Sequence, residues 1–199
     1  MYLSQIVLKD NHFTRKWVSN RYAVHKMLRS VIEGTSRVLF RIDRQEIGTV
    51  ILVQSIAKPQ WRKIGDAQKY LAGEPLTKEY NPSFNQGGIY YFRLEANPTH
   101  RVCDENDGIK RRQGILGREN QIQWLAKKLT EIGAEMIDCS AQQNGICVSY
   151  KNENKISHLS VVFTGTLLVN DPERFRQGVE RGIGTARGFG FGLLSLMKC

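Results

Sequence analysis

The chain has 199 residues, 41% of them hydrophobic, and its 29 lysines and arginines against 19 acids leave a formal charge of +10 and a pI near 9.6. That is apolar material for one domain or two small ones, and such a charge attracts polyanions. No run approaches the ~18 apolar residues of a membrane span, and the opening MYLSQIVLKD has no basic segment ahead of an apolar one, so neither a membrane anchor nor a secretion signal is expected.

In chain order, YLSQIVL predicts a first strand, residues 15 to 30 a helix, and RVLFRID and GTVILVQSI two further strands. The segment from Lys58 to Asn85 carries no clear periodicity. A second unit opens with the β-rich IYYFRLEAN. The helix NQIQWLAKKLTEI follows, with Ile122, Leu125, Leu129 and Ile132 on one face before Gly133. EMIDCS, ICVSY and HLSVVFTGTLLV read as strands. Asp171-Pro172-Glu173 then supplies an N-cap, an N1 proline and an early acid for a last helix, with Phe175 and Val179 at i, i+4. GLLSLMK closes the chain as a short apolar strand. Strand, helix, two strands, helix, strand is the order of a ferredoxin-like unit, the one on which RNA-recognition modules are built. The expected fold is α+β, with two tandem ferredoxin-like domains over residues 1–87 and 88–199. The aromatic motif of a standard RNA-recognition sheet is absent, which directs attention to helices and loops.

On a helical wheel the first helix places Trp17, Val24, Met27, Leu28 and Val31 on one side and Tyr22, His25, Lys26 and Arg29 on the other. Residues 15 to 29 include Arg15, Lys16, Arg21, Lys26 and Arg29 and no acid. Tyr22 and His25, at i and i+3, are surface neighbours. A histidine exchanges protons near neutral pH, and cations around it stabilise charge developing on a phosphate. A solvated histidine on a basic helix is the plain alternative. His12, His100 and His158 lack such a setting and read as structural or surface residues.

Further on, Asn106-Asp107-Gly108 is a turn signal between two strand arms, the second carrying Lys110, Arg111 and Arg112. Such an arm suits a nucleic-acid groove, although Asp104, Glu105 and Asp107 equally fit an ordinary charged loop. Cys103, Cys139, Cys147 and Cys199 form no C-x-x-C pair and have no ligand set of histidines, so zinc is not expected. Reduced thiols in the cytoplasm fit them best. Between the last helix and last strand, GIGTARGFGFG sets five glycines in eleven positions. Glycine lets backbone amides approach an anion closely. The spacing Gly182, Gly184, Gly188 is one residue too long for a dinucleotide fingerprint, and no Gly-Lys-Ser/Thr follows. A nucleotide-dependent enzyme therefore rests on glycine content alone. Arg181, Arg187, Phe189 and Phe191 argue against a simple linker.

MYLS, RYAVH, YYFRLEANP, the KRR arm, QIQWLAKKL and above all VVFTGTLLVNDP followed by GIGTARGFGFGLLSL span nearly the whole chain. In these segments the sequence resembles the CasE family, the CRISPR-associated endoribonucleases of the Cascade (type I-E) system that mature precursor CRISPR RNA. The resemblance implies tandem ferredoxin-like domains that bind a CRISPR-repeat stem-loop and cut at the 3′ base of its stem. The implied chemistry needs no metal and no cofactor. The ribose 2′-hydroxyl attacks the adjacent phosphate, leaving a 2′,3′-cyclic phosphate and a 5′-hydroxyl. The family's histidine matches His25 and its tyrosine Tyr22. Lys26 and Arg29 are read as electrostatic helpers from their place on the same helix face, not from the resemblance. The family's basic hairpin matches Lys110, Arg111 and Arg112, and its glycine-rich loop matches Gly182, Gly184, Arg187, Gly188 and Gly190. Retention of the product in the Cascade complex, beside other subunits, is implied as well. A non-catalytic RNA-binding subunit is the competing expectation.

Overall fold

Alternating burial along YLSQIV, with Ser4 and Ile6 inward, makes β1 (Tyr2–Val7) a strand with one face on a core. A computed structural model describes residues 1–34, 37–45, 48–103 and 109–199. The Asn106-Asp107-Gly108 turn and the acids Asp104 and Glu105 lie outside them. After β1, β2 (Val38–Gln45) and β3 (Gly48–Ser55) pair antiparallel from Val38↔Ser55 to Gln45↔Gly48. β3 also lies antiparallel to β1, and β4 (Leu76–Glu79) closes the far edge. The resulting order, β2-β3-β1-β4, is that of a ferredoxin-like sheet.

The helix expected over 15 to 30 is two helices, α1 (His12–Ser19) and α2 (Arg21–Val31), broken at Asn20. The break has a distant cause. Asn20 accepts from the backbone N–H of Tyr150 at 3.1 Å and donates to its carbonyl at 3.4 Å, so its side chain does not cap α2. Val24, Met27, Leu28 and Val31 are buried as expected, against Ile6, Phe40, Ile51 and Val53 of the sheet. Trp17 joins that core from α1, half-buried and stacked on Tyr70 at 4.7 Å. The segment from Lys58 holds two 3-10 turns, Trp61–Lys63 and Gly65–Tyr70, and then β4. These turns take the place that a second α-helix holds in a ferredoxin-like unit. Pro59, Gly65, Gly73 and Pro75 leave no uninterrupted stretch for one.

The second domain repeats the plan more fully. β5 (Ile89–Ala96), α3 (Arg118–Glu131), β8 (Ala134–Lys151), β9 (Asn154–Val169), α4 (Pro172–Arg181) and β10 (Leu194–Lys198) build a sheet ordered β10-β5-β9-β8. Between β5 and α3, β6 (Thr99–Cys103) and β7 (Lys110–Gly114) form a separate two-stranded arm. EMIDCS and ICVSY are not two strands but parts of β8, which runs through register shifts at Met136/Asp138 and Gln143/Ile146. The last helix begins as its sequence predicts: the Asp171 side chain accepts from the Arg174 amide at 3.0 Å, with Pro172 at N1.

The two domains meet through β2 and β3, which is why these strands are buried on both faces. Gln54 donates to the Val179 carbonyl at 3.0 Å, and Arg41 grips Asp43 while donating to Ser195 Oγ at 2.9 Å. No described helix is long and apolar enough to cross a membrane.

Candidate functional site

The carbonyl end of α4 leads directly into the glycine run, which lies against β2 and α2 of the other domain. Gly182, Gly184, Gly190 and Gly192 all have φ between 73° and 89°, the left-handed region where a side chain is strained. Space is equally short: a Cβ on Gly182 would stand 2.7 Å from Leu39, and one on Gly190 2.9 Å from the Phe40 ring. The loop is held by Ile183 N–H to Gly192 O at 2.9 Å, Phe189 N–H to Ala186 O at 2.8 Å and Gly192 N–H to Glu95 O at 2.8 Å. Those amides are spent on the protein itself. The glycines let the loop seat against the first domain, a role that glycine content alone does not distinguish from an anion cradle.

Seating the loop here covers the edge of α2. Arg21, one of the cations of that helix, is half-buried and turned to the second domain. It bonds Glu95 at 2.7 Å and the Phe189 carbonyl at 3.3 Å and lies over the Phe191 ring at 4.9 Å. Ser160 donates to the same Glu95 oxygen at 2.8 Å. This buried pair fixes α2 against the loop, so Arg21 is not part of an open cationic face. Arg15 is likewise paired, to Asp10 at 2.7 Å.

Next to Arg21, the Tyr22 ring centroid is 6.2 Å from that of His25 and 5.8 Å from that of Phe189. Lys26 Nζ stands 5.9 Å from the centre of the Tyr22 ring, and Lys151 Nζ, from the end of β8, 5.8 Å from it. Lys151 has no sequence signal that would connect it with α2, because only the fold of the long β8–β9 hairpin brings it there. His25 sits between the core and the cationic side, its ring 6.3 Å from Phe40. A Cβ on Gly188 would lie 3.4 Å from its Nε2, whereas its Nδ1 is buried with no hydrogen-bond partner. Burial, and secondarily the nearby Arg29 guanidinium, lower its pKa below the ordinary 6.5. The ring is therefore neutral at neutral pH. Lys26 is exposed, and Arg29 donates to the Gly34 carbonyl at 2.5 Å.

The basic arm is the separate two-stranded β6–β7 element of the second domain. Lys110, Arg111 and Arg112 are exposed on β7, in register with Cys103, Val102 and Arg101. Arg101 thus stands directly across from Arg112, and opposed like charges destabilise a strand pair. Single-sequence reading found the KRR run but not Arg101, whose significance depends on that register. Arg112 lines a cavity together with Arg187, Arg181, Arg174 and Lys128, about 470 Å³ in volume. That cavity connects the arm with the glycine run. Arg187 Nε is buried without a partner, and burial, with a smaller effect of the Arg37 guanidinium, pushes its pKa down. Among the described residues no three His, Cys, Asp or Glu side chains gather as a metal-ligand set.

A family model described as CRISPR associated protein matches residues 1–198. The chain belongs to this family. Within the CRISPR-associated family it is similar to the CRISPR-associated endoribonuclease Cse3 of Thermus thermophilus, with 28% identity covering 98% of this chain and 99% of that protein. It is also 28% identical to the CRISPR system Cascade subunit CasE of Escherichia coli K12, covering 98% of each. The solved structure of Thermus thermophilus Cse3 bound to an RNA representing a pre-cleavage complex superposes with a TM-score of 0.84, at 27% identity over 98% of each chain. The shared architecture is that of two ferredoxin-like domains.

Proposed function

We propose that this protein is the endoribonuclease that matures precursor CRISPR RNA, binding the repeat stem-loop and cutting at the 3′ base of the stem. The observation that carries the reading is a neutral, half-buried His25 beside Tyr22, walled by the Gly188 turn, with Arg29 acting on the histidine and Lys26 and Lys151 at the tyrosine ring, in a chain matched along its length by a CRISPR endoribonuclease. The 2′-hydroxyl of the nucleotide before the cut loses its proton to His25 and forms the new O2′–P bond. The P–O5′ bond breaks and the departing O5′ takes a proton from water, leaving a 2′,3′-cyclic phosphate and a 5′-hydroxyl, and the protonated His25 returns its proton to solvent. Because Nδ1 is buried, proton exchange falls to Nε2. Tyr22, with Lys26 and Lys151 at its ring, orients and stabilises the reacting phosphate. Arg29 contributes positive potential on the same helix.

Lys110, Arg111 and Arg112 grip the stem, and Arg187, beside Gly182, Gly184, Gly188 and Gly190, lies along the RNA backbone. The deep, narrow groove of A-form RNA makes such an arm a reader of shape and phosphates rather than base edges. The chemistry runs on protons and fixed charges and requires neither metal nor cofactor. The domains divide at residues 87 and 88, with Phe84 reaching across to Phe175 at 4.8 Å. The protein works in the cytoplasm, where its four free cysteines stay reduced, and holds its product among the other Cascade subunits.

Cleavage of the cognate repeat in the presence of EDTA tests the reading. His25→Ala is expected to lower the single-turnover rate by about 10²- to 10⁴-fold with repeat binding nearly unchanged. Uncut RNA bound by the wild-type protein would establish the binding-subunit alternative, and cleavage that survives a 2′-deoxy substitution at the cut would overturn the mechanism.

A further inference from the structure

On the other side of Thr185 and Arg112 from the cation-lined cavity is a second one, about 610 Å³ in volume. Its character is different. Leu116 and Ile146 line it although they are 67% and 62% exposed, and Leu159 forms its buried floor. Large apolar side chains open to solvent in a concave site, with a few polar groups among them, are the composition of a small-ligand pocket. Two of those polar groups have unmet bonding capacity. His158 Nδ1 and Thr185 Oγ1 are buried and without a hydrogen-bond partner. The His158 ring rests on Phe189 at 4.5 Å, and Phe189 is the ring that faces Tyr22. One aromatic side chain thus separates this cavity from the proposed catalytic pair.

We propose that this cavity is a pocket for one unpaired nucleotide of the RNA, its base on Leu116, Ile146 and Leu159 and its phosphate against Arg112. This rests on the reading of the chain as a repeat-RNA nuclease and adds to it a site that reads a base. A base offers the flat apolar faces such a floor accepts, and its edge carries donors and acceptors that the exposed Gln113 amide on the rim can meet. Burial, with a smaller effect of Arg21, lowers the His158 pKa, so its imidazole is neutral at pH 7 and places no charge beside the base. The neighbouring cavity, with Lys128, Arg174, Arg181 and Arg187 on its walls, suits backbone phosphates instead. The two cavities share Arg112, as they would if successive nucleotides passed from one to the other.

The test is a scan of repeat RNAs carrying one abasic residue at each unpaired position flanking the stem, with binding and cleavage measured for the wild type, Ile146→Ala and Gln113→Ala. Both variants change exposed side chains, so folding is not at stake. One abasic position is expected to weaken wild-type binding about tenfold, the scale of a lost base stack. The two variants are expected to bind intact and abasic RNA with nearly equal affinity. Equal binding of all abasic RNAs by the wild type, with cleavage intact, overturns the pocket and leaves the nuclease reading standing. Full discrimination retained by both variants overturns its assignment to this cavity. If intact repeat RNA is neither bound nor cut, the nuclease reading itself fails, and the pocket with it.

Discussion

The glycine run and the basic arm are both rich in features that sequence analysis associates with RNA phosphates, yet they are built in opposite ways. The run from Gly182 to Gly192 spends its amides on the protein and seats two glycines on Leu39 and Phe40. The arm leaves Lys110, Arg111 and Arg112 exposed and sets Arg112 across from Arg101, a repulsion that an RNA strand would relieve. A loop of the first kind holds the catalytic helix in place and meets RNA through its Arg187 side chain rather than through its backbone amides. An arm of the second kind costs folding energy and recovers it on binding. Damage to the loop should therefore appear as lost stability, and damage to the arm as lost affinity.

The larger effect belongs to the loop. Gly182→Val places a branched side chain at φ 73° with Leu39 at 2.7 Å and the Gly192 carbonyl at 2.9 Å from the Cβ position. Left-handed strain and overpacking each cost about 1–3 kcal/mol, so thermal unfolding should shift down by many degrees and cleavage should fall with the folded fraction. A variant with unchanged melting temperature and selectively weakened RNA binding would make the loop an RNA cradle after all. Next comes the arm: replacing Lys110, Arg111 and Arg112 together by Ala should leave the melting temperature unchanged or raise it. The slope of log affinity against log salt should lose about 0.7 to 0.9 per phosphate contact removed, with affinity at moderate salt falling by roughly 10- to 100-fold. An unaltered salt slope would remove the arm from the phosphate contacts.

Local chemistry explains what was legible in the sequence. Period-two burial in β1, the Asp171-Pro172 start of α4 and the Tyr22–His25 spacing depend on residues within a few positions of one another, and all were readable. The break at Asn20 depends on Tyr150, and the burial of Arg21 on Glu95 and Phe191, partners that single-chain periodicity does not reveal. The wheel placed His25 opposite the buried face because it could not include a covering loop from the far end of the chain. The same holds for Lys151 and His158, which reach the site along a β-hairpin whose length sets their position. The 3-10 turns that stand in for a helix were signalled only by the prolines and glycines of residues 59 to 75, a negative signal that names no alternative structure.

The smallest effect distinguishes the helix that carries the chemistry from the loop that braces it. His25 has a lowered pKa because burial disfavours its charged form, and because Arg29 adds like-charge repulsion. If His25 takes the 2′-hydroxyl proton, the cleavage rate rises as pH climbs through that lowered value, below 6.5, and is flat across neutrality. Arg29→Gln removes only the second cause. The acid limb should then move to higher pH, without reaching 6.5, while the plateau rate near neutrality changes little. Stability follows the same sign: the unfolded chain binds a proton more readily than the folded one, so stability declines as pH falls below 6.5 and levels off beneath the folded-state pKa. His158, also lowered by burial, adds to that decline, whereas Arg29→Gln lessens only the part due to His25. A single-turnover rate that instead falls as pH rises through the limb would assign His25 the leaving-group proton, because only the protonated ring can donate one to the departing 5′-oxygen.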